Sequence, residues 1–435
     1  MAIINLSKYK DVLNAYDFIE CTGKVSKIVG LTIESVGPEA NIGELCRIHG
    51  NKKEIMAEVV GFKDNKVLLM PLGDMSGIGS GSMVFGTGQL LSADVGDNLI
   101  GRVIDGMGNP IDDKGDIKAH CTYPVENMPP RPLDRSRIHE PLPLGIKAID
   151  GLLTVGKGQR VGIFAGSGVG KSTLIGMIAR NTKADVNVIA LIGERGREVR
   201  EFIEKDLTVE GLKRSVVVVA TSDQPALIRL KGALMATAVA EYFRDQGKNV
   251  LLLMDSLTRF AMAQREVGLA VGEPPVSRGY TPSVFAILPK LLERAGNSDT
   301  GSITGLYTVL VDGDDLTEPV TDTARGILDG HIVLSRALAN RNQFPAIDVL
   351  ASVSRVMSEI ITDNHKQIAA KIKKVMAIYK DAEDLINIGA YVKGSNDKID
   401  YAIEVIDNII SFIEQGVNDK FTYDDVIKML ENILV

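Results

Sequence analysis

A parallel α/β core, preceded by a small β-rich unit and followed by a helical tail, is the fold class that these 435 residues predict. Three observations predict it. From about residue 150 the apolar runs RVGIFAG, VNVIALIG, SVVVVAT, NVLLLMD and YTVLVDG alternate with helical segments. Continuously apolar strands separated by helices build a parallel sheet covered on both faces. Up to residue 92 the chain instead reads as short strands broken by Gly, Asn and Asp, the texture of a small β-barrel. Beyond residue 355 it is helical to its end. A chain of this length exceeds one ordinary core. The expected division is 1–92, 93–355 and 356–435.

Taken in order, MAIINLSKYKDVLNAYDFIE spaces Ile3, Ile4, Leu6, Tyr9, Val12, Leu13 and Tyr16 as one face of a short amphipathic helix. Lys8, Lys10 and Asp11 interrupt any secretory pattern. GKVSKIVGLTIESVG, AEVVGFKDNKVLLMPL and GSMVFGTG supply alternating or short apolar runs for the barrel. GRVIDGMGNPIDDKG is dense in turn dipeptides, and the Pro-rich YPVENMPPRPLDRSRIHEPLPLG that follows reads as an extended linker entering the core. In the tail, Ile399, Ile403, Ile406, Ile410 and Ile413 fall three to four apart and define an apolar stripe.

Composition narrows the function classes. No apolar run is long enough to span a bilayer. Cys21, Cys46 and Cys121 are scattered, so neither a metal cluster nor a disulfide framework is expected, and a reducing, cytosolic setting is. A net charge of −7 argues against a duplex nucleic-acid binder, whose affinity rests on a basic surface.

RVGIFAGSGVGKSTLIGMIAR runs strand, glycine-rich loop, helix. Its loop, Ala165, Gly166, Ser167, Gly168, Val169, Gly170, Lys171, Ser172 and Thr173, follows the phosphate-loop pattern, with Ala165 where the strict form has Gly. The glycines let backbone N–H groups turn inward onto phosphate oxygens, and the helix start adds its positive dipole end. Lys171 is expected to reach the β- and γ-phosphates of ATP and the Ser172 hydroxyl to ligate Mg²⁺. NVLLLMDSLTRFA ends its apolar strand in Asp255, a second Mg²⁺ candidate or a cap for the next helix.

VIALIGERGREVREF turns from a buried strand into dense charge. Ligands of such sheets bind beyond the carboxyl ends of the strands. Glu194 therefore shares a rim with Lys171 and Asp255 and can orient the water that attacks the γ-phosphate. Arg195 either stabilises developing negative charge or holds Glu194. From Arg197 onward the run reads as an exposed helix.

AGSGVGKST, GERGREVREF and LLLMDSLTRFAMAQREVGLAVGEPP together resemble the type III export ATPases, most closely the flagellar branch, relatives of the catalytic subunit of rotary ATP synthases. GEPPVSRGYTPSVFAILPKLLERAG and GDDLTEPVTDTARGILDGHIVLSR carry the resemblance over nearly the whole chain, with Thr281 and Ile287 departing from the usual wording. The resemblance implies an N-terminal β-barrel, a RecA-like P-loop NTPase core and a C-terminal helical domain. It further implies a hexameric ring that hydrolyses ATP with Mg²⁺ between neighbours and energises unfolding and export of proteins. Arg355 matches the arginine sent into the next subunit's site, and Phe344 the aromatic that packs on adenine. The segment 268–280 resembles the loop facing a central coiled-coil stalk. The N-terminal helix resembles the part that docks a stator-like regulator, although packing on its own barrel is the alternative. Export gate, chaperones and secreted substrates are the other implied partners, at the inner face of the membrane.

Two other readings compete. A non-catalytic nucleotide-binding ring subunit would lack the carboxylate at Glu194, and an RNA translocase with the same core fits poorly with the acidic balance. Flagellar and injectisome branches share the active site, so motifs leave that choice open.

Overall fold

The computed structural model describes residues 22–51, 53–311, 315 and 317–433. The expected N-terminal amphipathic helix lies outside the described residues. Two compact units are formed. The first runs to Leu91 and takes in Val267–Glu273; the second comprises Ser92–Glu266 and the chain from Pro274 onward.

In the first unit, β1 (Thr22–Val29), β2 (Thr32–Val36), β3 (Glu44–His49), β4 (Glu54–Lys63), β5 (Lys66–Pro71) and β6 (Met83–Leu90) close a barrel in the order β1-β2-β5-β4-β3-β6. Alternation along β3 turns Cys46 and Ile48 inward, where they meet Val25, Ile33, Ala57, Val59, Leu69 and Val84. The β4–β5 hairpin turns on Asp64 and Asn65, with φ of 49° and 60°. A tight two-residue hairpin of this twist needs positive φ at both positions, which Asp and Asn tolerate better than other non-glycine residues.

The second unit carries β7 (Ser92–Val95), β8 (Val103–Asp105), β9 (Cys121–Pro124), β10 (Arg160–Ala165), β11 (Val186–Ile192), β12 (Ser215–Ala220), β13 (Asn249–Asp255), β14 (Gly296–Asn297), β15 (Ser302–Leu310), β16 (Gly330–Leu334) and β17 (Ile347–Ser354). A nine-stranded sheet has the order β17-β16-β10-β15-β13-β11-β12-β8, with β14 beside β15. From β16 to β8 every pairing on that path is parallel, and β17 runs antiparallel to β16. All seven residues of β11 are buried, as a strand covered on both faces requires. The helix Ala226–Asp245 packs on β11, β12 and β13.

The tail forms helices Met357–Ile360, Asp363–Asn387, Asp397–Ile413 and Tyr423–Asn432, the last three opened by Thr362, Asn396 and Thr422 side chains that accept from backbone N–H groups. Its third helix buries part of the expected isoleucine stripe, Ile406 and Ile413, and leaves Ile399 and Ile410 half-buried. Ala402, Val405, Ile406, Ile409, Phe412 and Ile413 are buried while Ile403 is exposed. Both sets have helical spacing, and the surface offered by Ile149, Leu152, Ile372 and Val375 decides which faces inward. No helix among the described residues is long and apolar enough to cross a membrane.

Beneath the sheet, Arg294 donates through Nε and Nη2 to the two carboxylate oxygens of Glu241, at 2.8 and 2.7 Å, with side chains 2% and 0% exposed. Removing one partner strands a buried charge. Arg294→Met is therefore expected to cost about 3–5 kcal/mol in denaturant unfolding.

Candidate active site

β10 ends in extended backbone at Ala165, so the missing strict glycine costs nothing there. The chain then curls through Gly168 and Gly170, with φ of 79° and 87°, and Gly170 leads directly into the helix Lys171–Asn181. Only glycine adopts those angles freely. The curl bounds a cavity of about 500 Å³ lined by Ala165, Gly166, Ser167, Gly168, Gly170, Lys171, Ser172 and Thr173 on one side. Gly193, Glu194, Arg195, Glu198, Ser222, Arg259, Leu310 and Val311 line the other. Ala165 and Val169 are the loop side chains buried in the core.

Parallel register brings the carboxyl ends of β10, β11 and β13 to one rim, with Asp255 opposite Leu191. The Lys171 Nζ lies 2.5 Å from Asp255 Oδ1 and 3.4 Å from Glu194 Oε1. Burial alone would lower the lysine, but the two carboxylates outweigh it and raise its pKa above the ordinary value. Asp255, 5% exposed, is further held by the Thr308 hydroxyl, which donates to Oδ1 at 2.7 Å. Glu194 is pushed up to about 7, first by burial and then by Asp255, against the pull of Lys171.

The neighbours of Glu194 differ from expectation. Glu198, expected on a solvated helix face, lines the cavity and is hydrogen-bonded to the Glu194 carboxyl, which holds the Glu198 pKa below its usual range. Arg195 lines the cavity but is 76% exposed, and its Nη1 donates to Glu198 Oε1 at 2.8 Å. Its link to Glu194 thus runs through Glu198. Arg259, missed in the sequence, lines the same cavity and has a buried Nε with no hydrogen-bond partner among the described residues. The available signal was its place one helical turn after Asp255.

Phe344 stands against the loop. A Cβ added at Gly170 would lie 3.4 Å from the Phe344 ring, whose own carbonyl accepts from the Gln415 N–H at 3.0 Å. Arg355 is not brought to this rim. Antiparallel β17 carries it to the amino end of the sheet, where its N–H donates to Asp329 O and its guanidinium to Arg325 O, while the Asp329 N–H donates to Arg160 O.

The raised Glu194 gives a stability prediction for the nucleotide-free chain. A carboxyl whose folded pKa is raised stabilises the fold below its unfolded pKa, and that contribution is lost as pH rises toward about 7. The Tm of Glu194→Gln is therefore expected to gain on the wild type from pH 5 to 7.5, with a flat difference at higher pH. Parallel pH profiles of the two melting temperatures check it.

Known proteins resemble this chain over nearly its whole length. Residues 145–354 match the nucleotide-binding domain of the ATP synthase alpha/beta family, residues 25–88 its beta-barrel domain, and residues 361–432 the T3SS EscN ATPase C-terminal domain. The flagellum-specific ATP synthase of Bacillus subtilis is 58% identical over 426 residues, 97% of each chain. The type 3 secretion system ATPase of Xanthomonas euvesicatoria is 50% identical over 94% of this chain and 93% of its own. The assembled ATPase EscN from enteropathogenic E. coli superimposes with a TM-score of 0.89 at 48% identity, covering 95% of this chain and 100% of that one. With the barrel, the sheet and the phosphate loop all matched, the chain belongs to the flagellar and type III secretion ATPases of the ATP synthase alpha/beta family.

Proposed function

We propose that this ATPase hydrolyses Mg²⁺-bound ATP, with Glu194 orienting the attacking water, and that it works as a hexameric ring energising unfolding and export of flagellar proteins. The observation that carries this is the meeting of Glu194 and Asp255 on Lys171, with Lys171 and Glu194 lining the cavity under the phosphate loop. A carboxyl raised above the ordinary range by burial is a stronger base than a solvated one, which suits water positioning. Lys171 takes the β- and γ-phosphates, exchanging its carboxylate partners for phosphate oxygens. Phe344 stacks on the base beside Gly170. Arg195 and Arg259 offer positive charge at the cavity wall, Arg195 also steadying Glu198.

The residues fit Mg²⁺. Ser172 and Asp255 offer one hydroxyl and one carboxylate, and among the described residues there is no cluster of three or more His, Cys, Asp or Glu. Such a sparse oxygen set matches an ion that keeps waters and shares substrate phosphates. Bound there, Mg²⁺ would neutralise the phosphate charge.

Because Arg355 sits at the amino end of the sheet, its contribution comes to the site of the adjoining copy. The ring and a stalk threading it draw support from EscN, solved assembled and in complex with its central stalk EscO. We assign this chain a coiled-coil stalk likewise, facing the segment 268–280, and a stator-like regulator at its N-terminal helix. Export gate, chaperones and substrates complete the set, at the cytoplasmic face of the membrane. The 58% and 53% identities to flagellum-specific relatives favour the flagellar branch.

Purified, assembled protein is expected to turn over ATP at about 1–100 s⁻¹, the range typical of kinases, and to lose turnover when Mg²⁺ is chelated. An inactive hexamer, or turnover indifferent to chelation, would sink the reading.

A further inference from the structure

The helix following Glu194 does not continue regularly. Gly196–Glu201 is α-helical, but Phe202–Leu207 opens into a π-turn whose Thr208 N–H donates to Ile203 O, five residues back. Such turns hold one residue more than an α-turn, are rare, and gather at functional sites. This one ends on Thr208 at φ 61°, ψ 173°, a conformation that a β-branched residue adopts only when its surroundings impose it.

The turn produces a close approach to the phosphate-loop helix. A Cβ built on Gly176 would lie 2.7 Å from Asp206 Cβ and 2.7 Å from the Asp206 carbonyl oxygen, so only glycine admits this spacing. One turn earlier on the same helix, Thr173 is close enough to the Asp206 carboxylate to pull its pKa down against the rise that burial causes. Ordinary packing would account for a glycine at a helix crossing. It does not call for an extra residue, a strained threonine and a polar tie to the loop itself.

We propose that the π-turn Phe202–Leu207 is a clamp that sets the phosphate-loop helix against the segment bearing Glu194, with Asp206 as a positioning residue acting through Thr173. Lys171 and Ser172 belong to one partner of this contact, and Glu194 and Glu198 lead into the other. A regular α-helix would rotate the residues beyond the turn by about 100° and carry Asp206 off Gly176. The clamp thereby fixes the distance from the water-orienting carboxylate to the phosphates, where a displacement of about 1 Å can cost about 10²-fold in rate. This rests on the reading of Glu194 given above.

The test compares Gly176→Ala, Asp206→Ala and Asp206→Asn in assembled protein with Mg-ATP. Gly176→Ala and Asp206→Ala are expected to lower kcat by about tenfold or more while KM for ATP moves less than about threefold. Asp206→Asn, which retains an acceptor for Thr173, is expected to recover most of the loss. Unchanged kcat per folded molecule in Asp206→Ala, or no recovery in Asp206→Asn, overturns the clamp. Should Gly176→Ala fail to fold, the two Asp206 variants still decide. Wild-type turnover that persists in Glu194→Gln would instead overturn the underlying reading, so the two failures appear in different variants.

Discussion

Glu194→Gln is expected to bind ATP as the wild type does and to lose about 10²–10⁴-fold in kcat, the range attributed to a positioned proton-accepting group. Binding survives because the phosphate loop, Lys171 and Phe344 are untouched, and the amide leaves one carboxylate, Asp255, 2.5 Å from the lysine. Catalysis fails because an amide cannot accept the proton that attacking water must shed. Steady-state turnover beside equilibrium binding of a fluorescent ATP analogue separates the two effects. A variant that keeps turnover within about tenfold of the wild type would remove Glu194 from the proposed role.

Arg355→Ala carries the other large effect, about 10³–10⁵-fold where an arginine finger stabilises the transition state. Its position explains why the loss must be read in assemblies. Within one chain, β17 delivers Arg355 to the opposite end of the sheet from Lys171. Mixing Arg355→Ala chains with Glu194→Gln chains is expected to restore part of the activity, since mixed rings contain interfaces with both native residues. No recovery in rings shown to be mixed would count against an arginine acting in trans.

Much of this was legible in the sequence because the signals are local. An apolar strand running into AGSGVGKS fixes strand, loop and helix together, and Asp255 and Glu194 are each the terminal word of a buried run. What escaped depends on rotation or on partners distant in sequence. Glu198 looks solvated until the helix is turned so that the position four residues after Glu194 meets the same cavity. Thr308 reaches Asp255 only through the β13–β15 register, which no single run encodes. The edge strand β8 spans Val103–Asp105 between turn residues, too short for periodicity to declare itself. The third tail helix shows the same limit, since the choice of buried face belonged to its neighbours.

The polarity of the sheet also bears on stoichiometry. Under the role proposed for Arg355, each chain presents a cleft at one end of the sheet and that arginine at the other, which calls for copies joined head to tail rather than face to face. Such an interface either closes on itself or grows without end. In a closed ring every cleft is matched. In an open arc one terminal subunit has an empty cleft and the opposite one an idle arginine. Specific activity would therefore report closure as well as concentration, with the last subunit to join completing two junctions at once.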